Sequence, residues 1–236
     1  MTSTFKGLEV GKSALNTASI NRDVTGQNIA NANTAGYTRQ RAAVSARLPV
    51  GMNYVVDQIY NKRVGQGSEV TDIQQYRSDY LDRQFRTHNS DYNYYTYRGQ
   101  GLTYLTGVVN ELDDDSSLTN SLSDFSAALQ NLSKDATSQE YRLNVQQRAV
   151  TLIQNLGYVY SEMVDLWKDQ NTSVQSVAES INSKTAQIAM LNSAIASYEQ
   201  NGNTANDLRD QRNSLLDELS GLVDITYGVN ENNSSM

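Results

Sequence analysis

The chain has 236 residues and a net charge of −7, a balance that excludes a general nucleic-acid binder, which needs a basic face. It contains one Pro, one His, three Phe and no Cys, but 15 Tyr. Without cysteine there is no disulfide framework, thiol nucleophile or zinc–thiolate site.

A hydrophobic share of 38% is low for a compact enzyme and, with so few helix breakers, predicts a mainly α, elongated helical bundle. Charge is unevenly spread. Residues 1–50 hold Lys6, Lys12, Arg22, Arg39, Arg41 and Arg47 against Glu9 and Asp23, so that stretch is +4 and the remainder −11. No apolar run reaches the length of a secretory h-region or a membrane span, so the expectation is no membrane insertion and, if exported, export without a cleavable signal peptide.

Residues 3–33 read as a helix with apolar groups on two sides. Phe5, Leu8, Leu15, Ala18 and Ile29 fall on one side, and Val10, Ile20 and Val24 roughly opposite. Gly7, Gly11 and Gly26 weaken it, each by about 1 kcal/mol relative to Ala. Such a helix is expected to be loosely ordered until surfaces press on both sides. It should stop in Asn31-Ala32-Asn33-Thr34-Ala35-Gly36-Tyr37, because Asn and Gly tolerate positive φ.

Thr38 to Arg47 loses helical period, Pro49-Val50-Gly51 reads as a turn, and Tyr54–Val56 and Val70–Ile73 read as short strands around Gly65-Gln66-Gly67. Helical period returns from Asp72, with Tyr76, Tyr80, Leu81 and Phe85 on one side and Arg77, Arg83 and Arg86 on others. It continues through the Tyr92, Tyr94, Tyr95, Tyr97 cluster to Val108. After Asp113-Asp114-Asp115-Ser116-Ser117, which suit a helix N-terminus, comes the run Leu118, Leu122, Phe125, Leu129, Leu132.

Another helix begins near Ser138. Within 160–198, Tyr160, Trp167, Val174, Ile181, Ile188 and Ile195 recur every seven residues, with a companion series Met163, Gln170, Val177, Lys184, Leu191 and Tyr198. This predicts a coiled-coil seam, with Trp167 in the core and Gln170 and Lys184 as register-setting intrusions. Asn201-Gly202-Asn203-Thr204 breaks the helix, and Leu208, Leu215, Leu219 and Leu222 begin the return arm of an antiparallel hairpin. Val223 to Val229 reads as the start of a strand.

No constellation supports catalysis. His88 has neither a second His nor a Cys beside it in sequence, and reads as an exposed helix residue. Asp113 and Asp115 have calcium-loop spacing, but the sixth position is Leu118 and the twelfth Asp124, where Gly and Glu are needed. The tyrosines of 92–97 read as rings covering a thin bundle, with a subunit contact as the alternative. No cofactor or metal is expected.

Two segments carry a family resemblance. Gln27 to Gln40 resembles the N-terminal signature of rod, hook and hook-associated proteins of bacterial flagella, an Asn-x-x-Asn-x-Asn-Thr-x-Gly-Tyr pattern met here by Asn28, Asn31, Asn33, Thr34, Gly36 and Tyr37. Asn206-Asp207-Leu208-Arg209-Asp210-Gln211-Arg212-Asn213 through Leu219 looks like the hairpin of the hook-associated protein 1 family of junction proteins. Gly65-x-Gly67 leading to Asp79-x-Leu81-x-x-x-Phe85-Arg86 is a weaker echo.

The resemblance implies an exported, extracellular structural subunit at the hook–filament junction. Its partners would be the hook protein, a second hook-associated protein, further copies of itself in a ring, and an export chaperone. It also implies a division into an assembly helix and signature loop (1–45), an extended or β segment (46–75), a helical rod with coiled-coil hairpin (76–225) and the start of a truncated following domain (226–236). Another rod or hook subunit, or a secreted coiled-coil adhesin or effector, are the competing readings.

Overall fold

The computed structural model describes residues 5–47, 65–109, 117–200 and 202–228. Among these the chain is mainly α, with five helices and one two-stranded antiparallel sheet: α1 (Lys6–Ala30), β1 (Gln40–Ala46), β2 (Ser68–Gln75), α2 (Asp79–Val109), α3 (Leu118–Lys134), α4 (Gln139–Glu199) and α5 (Asn206–Ser220). The turn expected at Pro49–Gly51, the strand at Tyr54–Val56, the acids Asp113–Asp115 and residues 229–236 lie outside the described residues.

Contacts group the chain into two units, one of Met1–Thr87 with Ser183–Met236, the other of His88–Asn182. In the first, α1 lies on the β1–β2 hairpin through a line of residues three or four apart. Ser13 Oγ accepts the Ser68 amide at 3.3 Å, buried Thr17 donates to the Ser68 carbonyl at 3.3 Å, and Asn28 reaches Gln40. Ile20 and Val24 share this line beside Ile73. Gly67 permits the approach: its φ is +98°, and a Cβ there would lie 1.9 Å from Ser13 Oγ.

The two-sided reading of α1 therefore resolves into one side on the sheet and one without. Phe5, Leu8, Leu15 and Ile29 are all about 70% exposed, at 69, 70, 74 and 73%. The strand read at Val70–Ile73 lies within β2, and its partner β1 is Gln40–Ala46, a stretch whose sequence showed only the loss of helical period. Its pairing with β2 shifts register between Ala43 and Val44.

The hairpin of α4 and α5 is antiparallel, joined through Gly202 at φ +77°. Ile195 is buried and Ile188 is half-buried in the stretch of α4 that pairs with α5. Lys184 pairs with Glu218, Arg212 reaches Asn192 at 3.4 Å, and Arg209 forks onto Glu199 at 2.7 and 2.8 Å. These three polar pairs bridge the two arms of the hairpin, and Lys184, read as a polar intrusion in the seam, makes one of them. Trp167 and Val174, expected in the core, are 66% and 68% exposed. The seam has seven-residue spacing over 160–198, but α5 is only 15 residues long and ends opposite Lys184. No strand begins at Val223 among the described residues.

In the second unit, Ser117 caps α3 by accepting the Asn120 amide at 3.1 Å. The face of α3 that is most buried holds Ser121 and Ala128, while Leu122 and Leu129 are exposed, a correction to the apolar run. Asn155 donates to Ser121 and Arg148 pairs with Asp124 at 2.9 Å, tying α4 to α3.

Candidate assembly site: the helix-stop loop and the hairpin behind it

The helix-stop loop is built by its own side chains. Asn28 uses its amide as a surrogate strand: Nδ2 donates to the Gln40 carbonyl at 2.8 Å, and Oδ1 accepts the Gln40 amide at 2.9 Å. The Tyr37 hydroxyl donates to the same Oδ1 at 2.9 Å, so one asparagine fastens the end of α1, the loop and β1. Asn31 caps the helix through its backbone and its Nδ2, both donating to the Gln27 carbonyl, and its Oδ1 accepts Thr34 Oγ1 at 3.2 Å. Gly36 takes φ +80°, where a Cβ would sit 3.4 Å from the Cβ of Ser214. Asn33 is exposed and stands outside this network.

The loop is then clamped by α5, more than 160 residues away in sequence. Asp210, 7% exposed, accepts the Thr38 amide at 3.0 Å on one oxygen and Gln75 Nε2 at 2.9 Å on the other. Asn206 donates to the Ile73 carbonyl at 2.6 Å, and Gln75 donates to the Asn206 carbonyl at 3.0 Å. Burial pushes the Tyr37 phenol up from its ordinary value, with Asp207 and Asp210 adding to the shift.

A second layer stands behind the clamp. Arg77 donates to Thr38 Oγ1 at 3.2 Å and pairs with Asp82 at 2.6 Å. Arg86 is 2% exposed, pairs with Asp217 at 2.6 Å, donates to Asn213 and lies 4.7 Å over the Tyr227 ring. Charge pairing and aromatic stacking together make its burial tolerable. Tyr80, Leu81 and Phe85, read from the sequence as one side of this helix, are each more than half exposed. On this segment of α2 the buried side chain is an arginine, and the acid of α5 that meets it is Asp217.

The two segments that carried the resemblance thus meet: Thr38 and Gly36 of one lie against Asp210 and Ser214 of the other. The seam residues divide, with Ile188 and Ile195 in this unit and Trp167, Val174 and Ile181 in the other.

A long helix stopped by an asparagine-rich loop defines the class. Residues 8–38 match the family described as flagella basal body rod protein. Residues 102–236 match the flagellar hook-associated protein FlgK helical domain, more than half of the chain, and the chain belongs to that family.

It is 33% identical to flagellar hook-associated protein 1 of Bacillus subtilis (strain 168), over 98% of this chain and 45% of that protein. It is 29% identical to flagellar hook-associated protein 1 of Salmonella typhimurium, over 96% of this chain and 38% of that protein. For the Escherichia coli (strain K12) protein of the same name the identity is 27%, over 96% and 39%. The chain spans less than half the length of these curated relatives. No helix among the described residues is long and apolar enough to cross a membrane.

Proposed function

We propose that this chain is part of a non-catalytic structural subunit that assembles at the hook–filament junction of the bacterial flagellum. Its role would be to join the hook to the axial components beyond it. The observation that carries this reading is the buried Asp210–Thr38 contact, which couples the rod-type segment to the hook-associated helical domain.

In this reading Asn28, Asn31, Thr34, Gly36 and Tyr37 set the direction in which α1 leaves the sheet, and Asn33 faces a neighbouring subunit. The exposed apolar side of α1 suits a helix that buries itself only between partners. The seam at Trp167, Val174, Ile181, Ile188 and Ile195 supports the helical domain, its exposed half available for further packing. Partners would be the hook protein, a second hook-associated protein and copies of the same subunit, with an export chaperone before assembly. Location is extracellular, after export without a cleavable signal. A rod or hook subunit would account for residues 8–38 but not for the helical domain at 102–236.

The test is co-sedimentation of the full-length product of this reading frame with isolated polymerised hooks, followed by electron microscopy. A saturable ring at the hook tip, lost on deleting residues 1–40, is the expected result. A folded protein that leaves hooks bare would end the junction reading.

A further inference from the structure

On the outer face of the sheet, Tyr76 donates its amide to the Arg39 carbonyl at 2.9 Å, which sets its ring beside Arg39 with Arg41 two residues along the strand. The guanidinium carbons of Arg39 and Arg41 each lie 5.1 Å from the ring centroid. Arg41 also donates to the Tyr76 hydroxyl at 3.4 Å and to Gln74 Oε1 at 3.2 Å. Stacking on a ring holds a guanidinium in place while leaving N–H edges free for a carboxylate. All three side chains are exposed, Tyr76 at 56%.

Arg77, Arg86 and Arg209 in the same unit each have a carboxylate, whereas Arg39 and Arg41 meet none among the described residues. Two ordered cations are therefore presented outward.

We propose that Arg39, Tyr76 and Arg41 form a clasp for an acidic helix face of a second copy of this chain. The proposal rests on the self-assembly part of the function above. Charge and spacing select the occupant. Residues 88–182 hold 12 acids and five bases, so they carry the whole net charge of −7. Within them, Asp165 and Asp169 of α4 stand four residues apart on one helix face, where neighbouring Cβ atoms are about 6 Å apart. Arg39 and Arg41, two residues apart along an extended strand, are separated by about 7 Å. Lys168 reaches Asp165 at 2.8 Å but leaves the exposed Asp169 to a partner. Because the two surfaces differ, the contact is head-to-tail, the type that adds subunits into rings or helical arrays.

The chain has no cysteine, so two introduced ones report the contact without background. Full chains carrying Gln74→Cys and Ser173→Cys are mixed at low ionic strength under mild oxidant, and the mixed disulfide is followed against the two homodisulfides. The expected result is a mixed disulfide forming at least tenfold faster than either homodisulfide, at a rate that rises with concentration and collapses in 0.5 M NaCl. Adding Arg39→Glu and Arg41→Glu to the Gln74→Cys chain abolishes the preference. Adding Asp165→Arg and Asp169→Arg to its partner as well restores it.

Equal rates for mixed and homodisulfides, or a preference unmoved by either charge reversal, would overturn the proposal. So would charge reversal that the swap does not rescue in chains of native circular dichroism. No hooks enter the assay, so its failure leaves the hook-binding result independent.

Discussion

Gly36 sits at φ +80° with Ser214 at ordinary contact distance from where a Cβ would stand. A β-branched residue there meets both the left-handed backbone penalty, about 1–2 kcal/mol, and a wall on α5. Gly36→Val is expected to lower the chemical-denaturation midpoint by a corresponding amount and to prevent hook–filament joining in a motility assay. Unchanged motility would remove the loop from the assembly reading. Asp217 is a second test at this scale. It neutralises Arg86, which is 2% exposed, and removing it leaves a buried cation without its carboxylate. Asp217→Ala should cost about 3 kcal/mol, at the lower end for breaking a buried pair because Asp217 itself is a third exposed. Urea unfolding would check this. The signature asparagines were legible as a helix stop because Asn and Gly at a helix end have few other uses. That Asn28 imitates a strand edge was not legible, since its partner Gln40 is defined only once the loop has closed.

The α4–α5 hairpin has a pH-sensitive fastening at its turn. Hydrogen bonding from Arg209 holds the Glu199 carboxyl below the usual carboxylate range, against an opposing effect of burial, and the Ala205 amide donates to it as well. A carboxyl with a depressed folded-state value stabilises the fold above its unfolded-state value. That stabilisation is lost as pH falls through the lower folded-state value. The hairpin should therefore be fully fastened at neutral pH and loosen in the acid range, and Glu199→Gln should flatten that part of the stability–pH profile. An identical acid slope in the variant would show that other carboxylates carry it. At this scale the heptad spacing located α4 correctly, because a seven-residue apolar repeat has no other common cause. It could not say which part of the seam is covered. Ile195 is buried and Trp167 is exposed at equivalent heptad positions, so the repeat alone does not decide burial.

Across the described chain, order is unequally supported. Only Thr17 of α1 is buried, and the helix rests on the sheet by one side, whereas α5 buries Asn206, Asp210, Arg212, Leu216, Leu219 and Ser220. Amide exchange over 6–30 should accordingly be on the order of tenfold or more faster than over 206–220 in the isolated chain. Equal protection would mean that α1 is stable without further partners. What the sequence determined by itself is everything local or periodic: the helical class, the stop after α1, the Gly202 turn and the long helix that carries the heptad repeat. These follow from backbone preferences and spacing, which act between residues close in the chain. The tertiary structure alone decided that Asp210 of α5 accepts the Thr38 amide, that Arg86 is buried while Phe85 is exposed, and that the signature loop and the hairpin form one site. Those pairings span more than 120 residues, and their polar partners carry no periodic mark, so only the folded chain brings each donor to its acceptor.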